Sequence, residues 1–345
     1  MSDIEIIIRV HDTDRPLDRA IASVLDYERA SVLIVAHGIP ADSIPVPDTH
    51  RVKVVEAPGG HGFPGVASNA GVQAVTAPLV GFLDSDDYFE RGALESLHRR
   101  LVEDGADGVI IPRRTEGKQR SLLPVTLRRR GLRAGRDRLF YYTAPFGLYR
   151  RGALQSPALA FDETVRTGED IGTSALLWTA GLNLSHHPGD PAYVVTDEAP
   201  RRATRGGDVR TRLAAINNVL ATGRLDHLSR NDRVAWAIKT VRVNILSGIL
   251  GGGEPLPVED RKALARTLEA LLAFSPQALE VFSRADRDRL DRALNGAGPG
   301  DAKQGSRARR TLAALPRKPW RALHRESNLR RVAVTALHEV LSRRS

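Results

Sequence analysis

The first 110 residues alternate short apolar runs with segments of helical period, and this alternation limits the fold more tightly than any other feature. Glu5–Val10 carries Ile6, Ile7 and Ile8 in succession. A strand that is apolar on both faces must be buried on both faces, as in a parallel sheet covered by helices. Pro16–Leu25 follows with Leu17, Ala20, Ile21, Val24 and Leu25 at helical spacing. Val32–Ala36 and Val52–Val55 read as two more strands, and the Gly-rich loop Gly59–Gly65 leads into a helix from Val66 to Val75. Leu79–Leu83 is a strand that stops at Asp84-Ser85-Asp86-Asp87, followed by a helix over Arg91–Val102 and a strand over Gly108–Ile111. The predicted class is α/β, a Rossmann-like, mostly parallel sheet flanked by helices. Such sheets hold ligands beyond the carboxyl ends of their strands, which is where the acidic cluster falls.

Past Ile111 the alternation breaks. Arg113–Arg138 contains ten Arg and Lys against Glu116 and Asp137 only, and aromatic side chains then gather at Phe140, Tyr141, Tyr142, Phe146 and Tyr149. A helix follows Gly168-Glu169-Asp170. Helical signals then run over Val209–Thr222, Asn231–Leu250, Val258–Phe274 and Pro276–Leu294, with Trp320–Ser345 as a last basic, amphipathic candidate. The expected organisation is an α/β domain over 1–210, a helical domain over 211–295, and a linker with a basic tail over 296–345.

Cysteine is absent, which removes disulfides, thiolate metal sites and Cys nucleophiles from consideration. No leader pattern is expected at Met1–Val10, and no apolar stretch is expected to approach the ~20 residues of a spanning helix. The expected location is therefore cytoplasmic, either free or peripheral at the inner face of the cell membrane. The formal charge of +10 sits almost wholly in the tail, because Gly296–Ser345 holds twelve Lys/Arg and three Asp/Glu. A concentrated basic tail suits an anionic surface, either nucleic acid or acidic lipid.

Asp84 and Asp86, with Asp87 beside them, can converge on one hard divalent cation just past a buried strand. Mg²⁺ and Mn²⁺ take oxygen ligands and bridge carboxylates to phosphates. An acidic turn that only caps the helix near Arg91 would carry the same residues. The order of Ala67-Ser68-Asn69-Ala70-Gly71, then Leu79–Asp87, then Phe161-Asp162-Glu163 and Gly168-Glu169-Asp170 resembles family 2 glycosyltransferases of the GT-A fold. The resemblance begins with Ile6–Asp12 and the helix after it, and it spans roughly Ile4 to Ala203.

The resemblance implies a GT-A nucleotide-sugar-binding domain, Mn²⁺ or Mg²⁺ as cofactor, and inverting transfer to a glycan or lipid-linked acceptor of the cell envelope, anionic or neutral. It implies that Asp84 and Asp86 meet the ribose and the metal-bound diphosphate. Asp170 is then the general base, supported by Glu169, while Asn69 and Gly71 face the nucleotide from their helix and Asp12 lies near the base. The chain departs from the family at Ala36-His37-Gly38, where an acidic pair usually reads uracil, at Ser68 in place of Arg, and at Asp12 in place of Asn. UDP is therefore the default nucleotide.

His11 and His37 end buried strands and could line the base pocket. His187, after His186, could assist the diphosphate, or both could be structural. Arg128, Arg129 and Arg130 could attract an acceptor phosphate, or form a solvated loop. In the tail, Leu329, Val332, Ala333, Ala336, Leu337 and Val340 recur at helical spacing among arginines. That stripe could lie on anionic lipid, pack on the body, or join a homo-oligomer. Nucleic acid is not expected as a partner, because the basic residues lack an interleaved stacking platform. Two other readings stay open, a non-catalytic glycosyltransferase-like scaffold and a basic nucleic-acid-binding protein.

Overall fold

The computed structural model describes residues 2–59, 62–118, 120–121, 123–196, 208–297, 313–328, 332–333 and 336–337. The chain forms two compact units, Met1–Arg133 with Tyr142–Gly206, and Ala134–Tyr141 with Gly207–Ser345.

The first unit runs β1 (Ile4–Val10), α1 (Leu17–Leu25), β2 (Ala30–Ala36), β3 (Val52–Glu56), α2 (Pro64–Ala74), β4 (Leu79–Asp84), β5 (Tyr88–Phe89), α3 (Ala93–Glu103) and β6 (Gly108–Ile110). It continues through β7 (Arg113–Thr115), β8 (Gly147–Arg150), α4 (Arg151–Leu154), α5 (Asp170–Thr179), β9 (Leu184–His186) and β10 (Tyr193–Val195). Seven strands make one sheet in the order β3-β2-β1-β4-β8-β6-β9, and β5-β10-β7 make a small second one. β1 pairs in parallel with β2 and with β4, Ile4 standing opposite both Ala30 and Leu79. Only β8 runs antiparallel in the large sheet, between β4 and β6.

The chain builds leftwards from β1 to β3 and then returns to place β4 on the other side of β1. Between β1 and β4 the order therefore reverses, and sheets of this kind form their ligand crevice at such a switch point, beyond the carboxyl ends of the strands. The centre of the sheet is dry: Ile4, Ile6, Ile7 and Ile8 are fully buried. Each such side chain contributes about 1.5–3 kcal/mol. Glu5, buried in the same strand, accepts from Thr76 N (2.8 Å) and Ala77 N (3.4 Å), which fixes the entry to β4. α1 lays Leu17, Ala20, Ile21 and Val24 on the sheet, as its spacing requires.

The second unit holds α6 (Val209–Ala221), α7 (Arg230–Lys239), a π-helix over Thr240–Ile249, α8 (Val258–Phe274) and α9 (Arg284–Leu294). Three sequence expectations change here. The single helix over Asn231–Leu250 becomes α followed by π. Its second half holds Thr240, Val241, Val243, Ile245 and Gly248, residues that lose side-chain or backbone freedom in a regular α-turn. The continuous helical run Arg230–Gly252 is also long and apolar enough to span a bilayer, contrary to the expectation that no stretch would be; 56% of its apolar window is buried inside the protein. The helix expected from Pro276 starts only at Arg284, because Ser283 caps it by accepting from Asp286 N at 3.1 Å.

The tail also folds differently from the expectation of a separate third region. Arg284 N donates to Leu315 O (3.0 Å), and Arg242 Nη2 donates to Glu326 O (2.9 Å), so residues 315–326 pack within the helical unit. Trp320 lies in a short 3₁₀ turn, Pro319–Leu323, and a bend at 324–327 separates it from the helical residue Asn328.

Candidate active site

Arg9 interrupts the apolar second half of β1. A cation inside a sheet covered on both faces must find partners. Its register partner in β4 is Asp84, and Arg9 Nη2 meets Asp84 Oδ1 at 2.8 Å. Arg9 Nη1 donates to Glu169 Oε1 (2.8 Å) and to Ser68 Oγ (3.0 Å). One guanidinium thus ties together β1, the end of β4, the second turn of α2 and the entry to α5. Burial disfavours its charge, but Asp84 and Glu169 outweigh burial and hold its pKa above the ordinary arginine value.

A second fork stands beside it. Arg15 Nη1 meets Asp86 Oδ2 at 3.0 Å, and Arg15 Nη2 lies 3.2 Å from His11 Nε2. Burial lowers the His11 pKa, and the neighbouring Arg15 lowers it further. The His11 and His37 rings lie 5.4 Å apart at the ends of β1 and β2, His37 being buried. Asp12 accepts from Asp14 N at 3.0 Å, shaping the turn before α1.

Asp87 is buried and accepts from Tyr193 Oη and Thr196 N, both at 2.8 Å. Burial raises its pKa to about 7, and the nearby Asp84 adds to the effect. Thr196 Oγ1 donates to Asp86 O at 2.6 Å, so the strand β10 and its end brace the acidic loop from below. The helix-cap alternative fails on this geometry. α3 starts at Ala93 after Gly92, and no side chain caps it.

Gly168, with φ of +77°, turns the chain into Glu169 and Asp170, and Asp170 is the first residue of α5. A left-handed φ suits glycine at this turn. Because Glu169 shares Arg9 with Asp84, the turn that carries Asp170 is fastened to the same crevice as the Asp84–Asp86 loop. Asp84, Asp86, Glu169, His11 and Asp12 therefore gather around the ends of β1 and β4.

Other sequence assignments do not join them. The resemblance implies that Asn69 faces a nucleotide, but its amide donates to Phe161 O (3.0 Å) and Glu163 Oε1 (2.8 Å) and accepts from Phe161 N (2.8 Å). It ties α2 to the 161–163 loop. Gly71 faces the sheet, not the crevice: a Cβ there would stand 2.7 Å from Ile7 Cγ2, so this glycine sets how closely α2 packs on β1.

Arg128, Arg129 and Arg130 are exposed and run along the outer edge of β9, where Arg129 O accepts from His186 N (2.9 Å) and Leu132 N donates to Leu184 O (3.1 Å). β9 is three strands from β4, about 14 Å at ordinary strand spacing. Arg130 Nε and His187 Nε2 both bind Asp104, at 2.7 Å each. The hydrogen bond from His187 helps hold Asp104 below the usual carboxylate range although burial works the other way. His186 Nδ1 lies 3.0 Å from Ile110 O. None of these recorded partners belongs to the acidic cluster. Much of the basic segment is similarly engaged: Arg114 and Arg120 bind Glu90, and Arg113 lies over the Phe146 and Tyr142 rings.

Arg9, Arg15, Tyr193 and Thr196 take parts in the site that the sequence alone does not assign to them. Arg9 had a legible signal, as the single charge in the second half of an apolar strand. Tyr193 and Thr196 had none, because their role depends on the pairing of β10 with β5 and β7.

Residues 5–156 match the family described as Glycosyl transferase family 2. The chain is 29% identical over 253 residues to the succinoglycan biosynthesis protein ExoU of Rhizobium meliloti (strain 1021), covering 65% of this chain and 71% of that protein. It is 27% identical over 184 residues to the poly(ribitol-phosphate) beta-N-acetylglucosaminyltransferase TarP of Staphylococcus aureus (strain N315), covering 49% and 55%. The crystal structure of S. aureus TarS 1–349 in complex with UDP-GlcNAc superposes with a TM-score of 0.67 at 13% identity, over 86% of this chain and 89% of that one.

Proposed function

The chain carries a family 2 glycosyltransferase domain over residues 5–156, and on that premise we propose that it moves a sugar from a nucleotide-diphosphate donor, a UDP-sugar by default, onto a hydroxyl of a cell-envelope polysaccharide or lipid-linked acceptor. The observation that carries this reading is the shared guanidinium of Arg9, which fastens Asp84 on the donor side and Glu169 beside Asp170 into one cluster. A relative of similar fold, TarS, has been crystallised with UDP-GlcNAc, which supports the choice of donor class. The reaction is expected to take place on the cytoplasmic side of the cell membrane, where both nucleotide-sugars and lipid-linked acceptors are reached.

Mn²⁺ or Mg²⁺ fits the donor set. Asp84 spends Oδ1 on Arg9 and Asp86 spends Oδ2 on Arg15, so each carboxylate keeps a second oxygen for a hard cation. Among the described residues no group of three or more His, Cys, Asp or Glu converges as a metal site. Two carboxylates suit an ion that takes its remaining ligands from phosphates and water. When bound, the ion would neutralise negative charge on the departing diphosphate.

The chain's own residues do the rest. Arg15 holds Asp86 in place, and Arg9 holds Asp84 and keeps Glu169 turned inward. Asp170, at the first turn of α5, takes the proton from the acceptor hydroxyl as that oxygen attacks the anomeric carbon and the bond to the diphosphate breaks. A single displacement from the face opposite the leaving group inverts the anomeric centre.

The test is a panel of UDP-, GDP-, CDP- and dTDP-sugars, each followed for slow hydrolysis and for thermal stabilisation with Mn²⁺, Mg²⁺ or chelator. One nucleotide is expected to stabilise the protein only with metal, and Asp86→Ala is expected to lose both responses. Stabilisation that persists undiminished in chelator would remove the metal from the proposal, and no response to any nucleotide would leave a scaffold.

A further inference from the structure

The helical unit exposes large apolar side chains in one stretch of its sequence. Trp320 is 67% exposed and Leu323 74%. They are three residues apart in the 3₁₀ turn Pro319–Leu323, a spacing that puts both on one side. The turn is held firmly beneath them. Ala322 is buried, Lys318 Nζ meets Glu280 Oε1 at 3.1 Å, Arg321 binds the other oxygen of Glu280, and Ser327 Oγ donates to Ala322 O at 2.5 Å. Farther on, residues 332, 333, 336 and 337 are helical, and Val332, Ala333, Ala336 and Leu337 are all exposed. Those positions share one face of a helix. The apolar stripe seen in the sequence therefore does not pack inward at any of these four positions.

Charge identifies the occupant. Between Arg317 and Arg325 the chain carries four Lys/Arg and no Asp or Glu, and the next carboxylate, Glu326, is 3% exposed. Asp291 pairs with Arg317 and Glu280 with Lys318 and Arg321, so four cations against two carboxylates leave the rim a net +2, with Arg325 exposed. A second copy of the same tail would bring the same cations face to face, which opposes pairing. Single-stranded nucleic acid would match the charge but needs flat rings for its bases, and here one indole stands among aliphatic groups. An indole and branched aliphatic side chains rimmed by Arg and Lys match the headgroup level of an anionic bilayer.

We propose that Trp320, Leu323, Val332 and Leu337 form a docking surface for anionic phospholipid membranes. The apolar side chains enter the acyl boundary while Arg325 and the net positive charge of the tail face the phosphates. Each cation near such a surface multiplies binding by about fivefold, so attachment is salt-dependent and reversible.

The chain itself contains the probe. Of its three tryptophans, Trp178 and Trp236 are 4% and 1% exposed, so quenching by acrylamide reads Trp320. The full chain is mixed with vesicles of phosphatidylcholine alone or with phosphatidylglycerol added. Vesicles containing phosphatidylglycerol are expected to cut acrylamide quenching severalfold and neutral vesicles to leave it unchanged, with high salt restoring it. In flotation, W320S/L323S is expected to lose at least about tenfold in bound fraction while its circular dichroism stays that of the unaltered protein. Unchanged quenching on anionic vesicles overturns the proposal, and so does protection that follows protein concentration without lipid, since a second copy would then cover the patch. Neither readout involves sugar transfer, so failure here and failure of the glycosyltransferase reading are separate results.

Discussion

The crevice between β1 and β4 and the C-terminal stretch treat charge in opposite ways. In the crevice each guanidinium is matched to carboxylates: Arg9 to Asp84 and Glu169, Arg15 to Asp86. The charges there are sheltered, short-ranged and bound to strands. In the tail the pairs are loose and solvent-exposed, Arg317 with Asp291 at 3.6 Å and Lys318 with Glu280 at 3.1 Å, and Lys and Arg outnumber carboxylates beside bare apolar groups. Net charge alone would rank the tail as the functional region, because it holds nearly all of the excess of +10. Geometry ranks them differently. Chemistry at one bond needs charges at fixed positions, whereas contact with a broad surface needs only their sum.

The comparison breaks most sharply at Asp170. Asp170→Asn should lower turnover by about 10²–10⁴-fold with an unchanged melting temperature; full turnover would detach the α5 turn from the chemistry. Arg9→Met comes next. It leaves Asp84 and Glu169 without their shared cation, and urea unfolding should show a loss of roughly 2–4 kcal/mol, below the full cost of a broken buried pair because Asp84 is about a third exposed. Asn69→Ala should cost about 1–3 kcal/mol through the lost anchoring of the 161–163 loop. Donor affinity falling with stability unchanged would instead return Asn69 to the nucleotide.

A subtler contrast lies in the helical unit, where Glu326 is buried among Tyr141, Arg138 and Arg242. Burial raises its pKa above the ordinary 4.5 despite those arginines. The folded state then keeps the proton longer than the unfolded chain does. Stability from this group is complete below 4.5 and is lost as pH rises through the folded value. Urea titrations from acid toward neutral pH should show that slope, and Glu326→Gln should flatten it. Trp320→Ser should be the mildest, within about 0.5 kcal/mol, because the indole is mostly in water; a larger loss would mean that it packs against the protein.

The strands β1, β2, β3, β4 and β6 and most helices of the first unit were legible because burial on both faces forces apolar runs and one-sided burial forces a helical period, whereas β5 and β7 to β10 are short and carry no such run. Legibility failed where neighbours distant in sequence decide the outcome. Nothing local distinguishes Asn69 in a nucleotide pocket from Asn69 tied to Phe161. The arginines at 128–130 looked like one bank of cations until the sheet order set them beside β9, away from β4. The acidic loop was readable as a cluster, but its support was not, since Tyr193 and Thr196 arrive more than a hundred residues later.

Arg9 and Asp84 are paired by backbone register before their side chains meet. Successive residues of a strand face opposite sides, so sliding β1 by one residue would swing the guanidinium to the other face of the sheet, away from Asp84, Ser68 and Glu169. The crevice thus acts as a checkpoint on its own assembly: the register that completes the reactive cluster is also the one that sets the guanidinium beside its carboxylates.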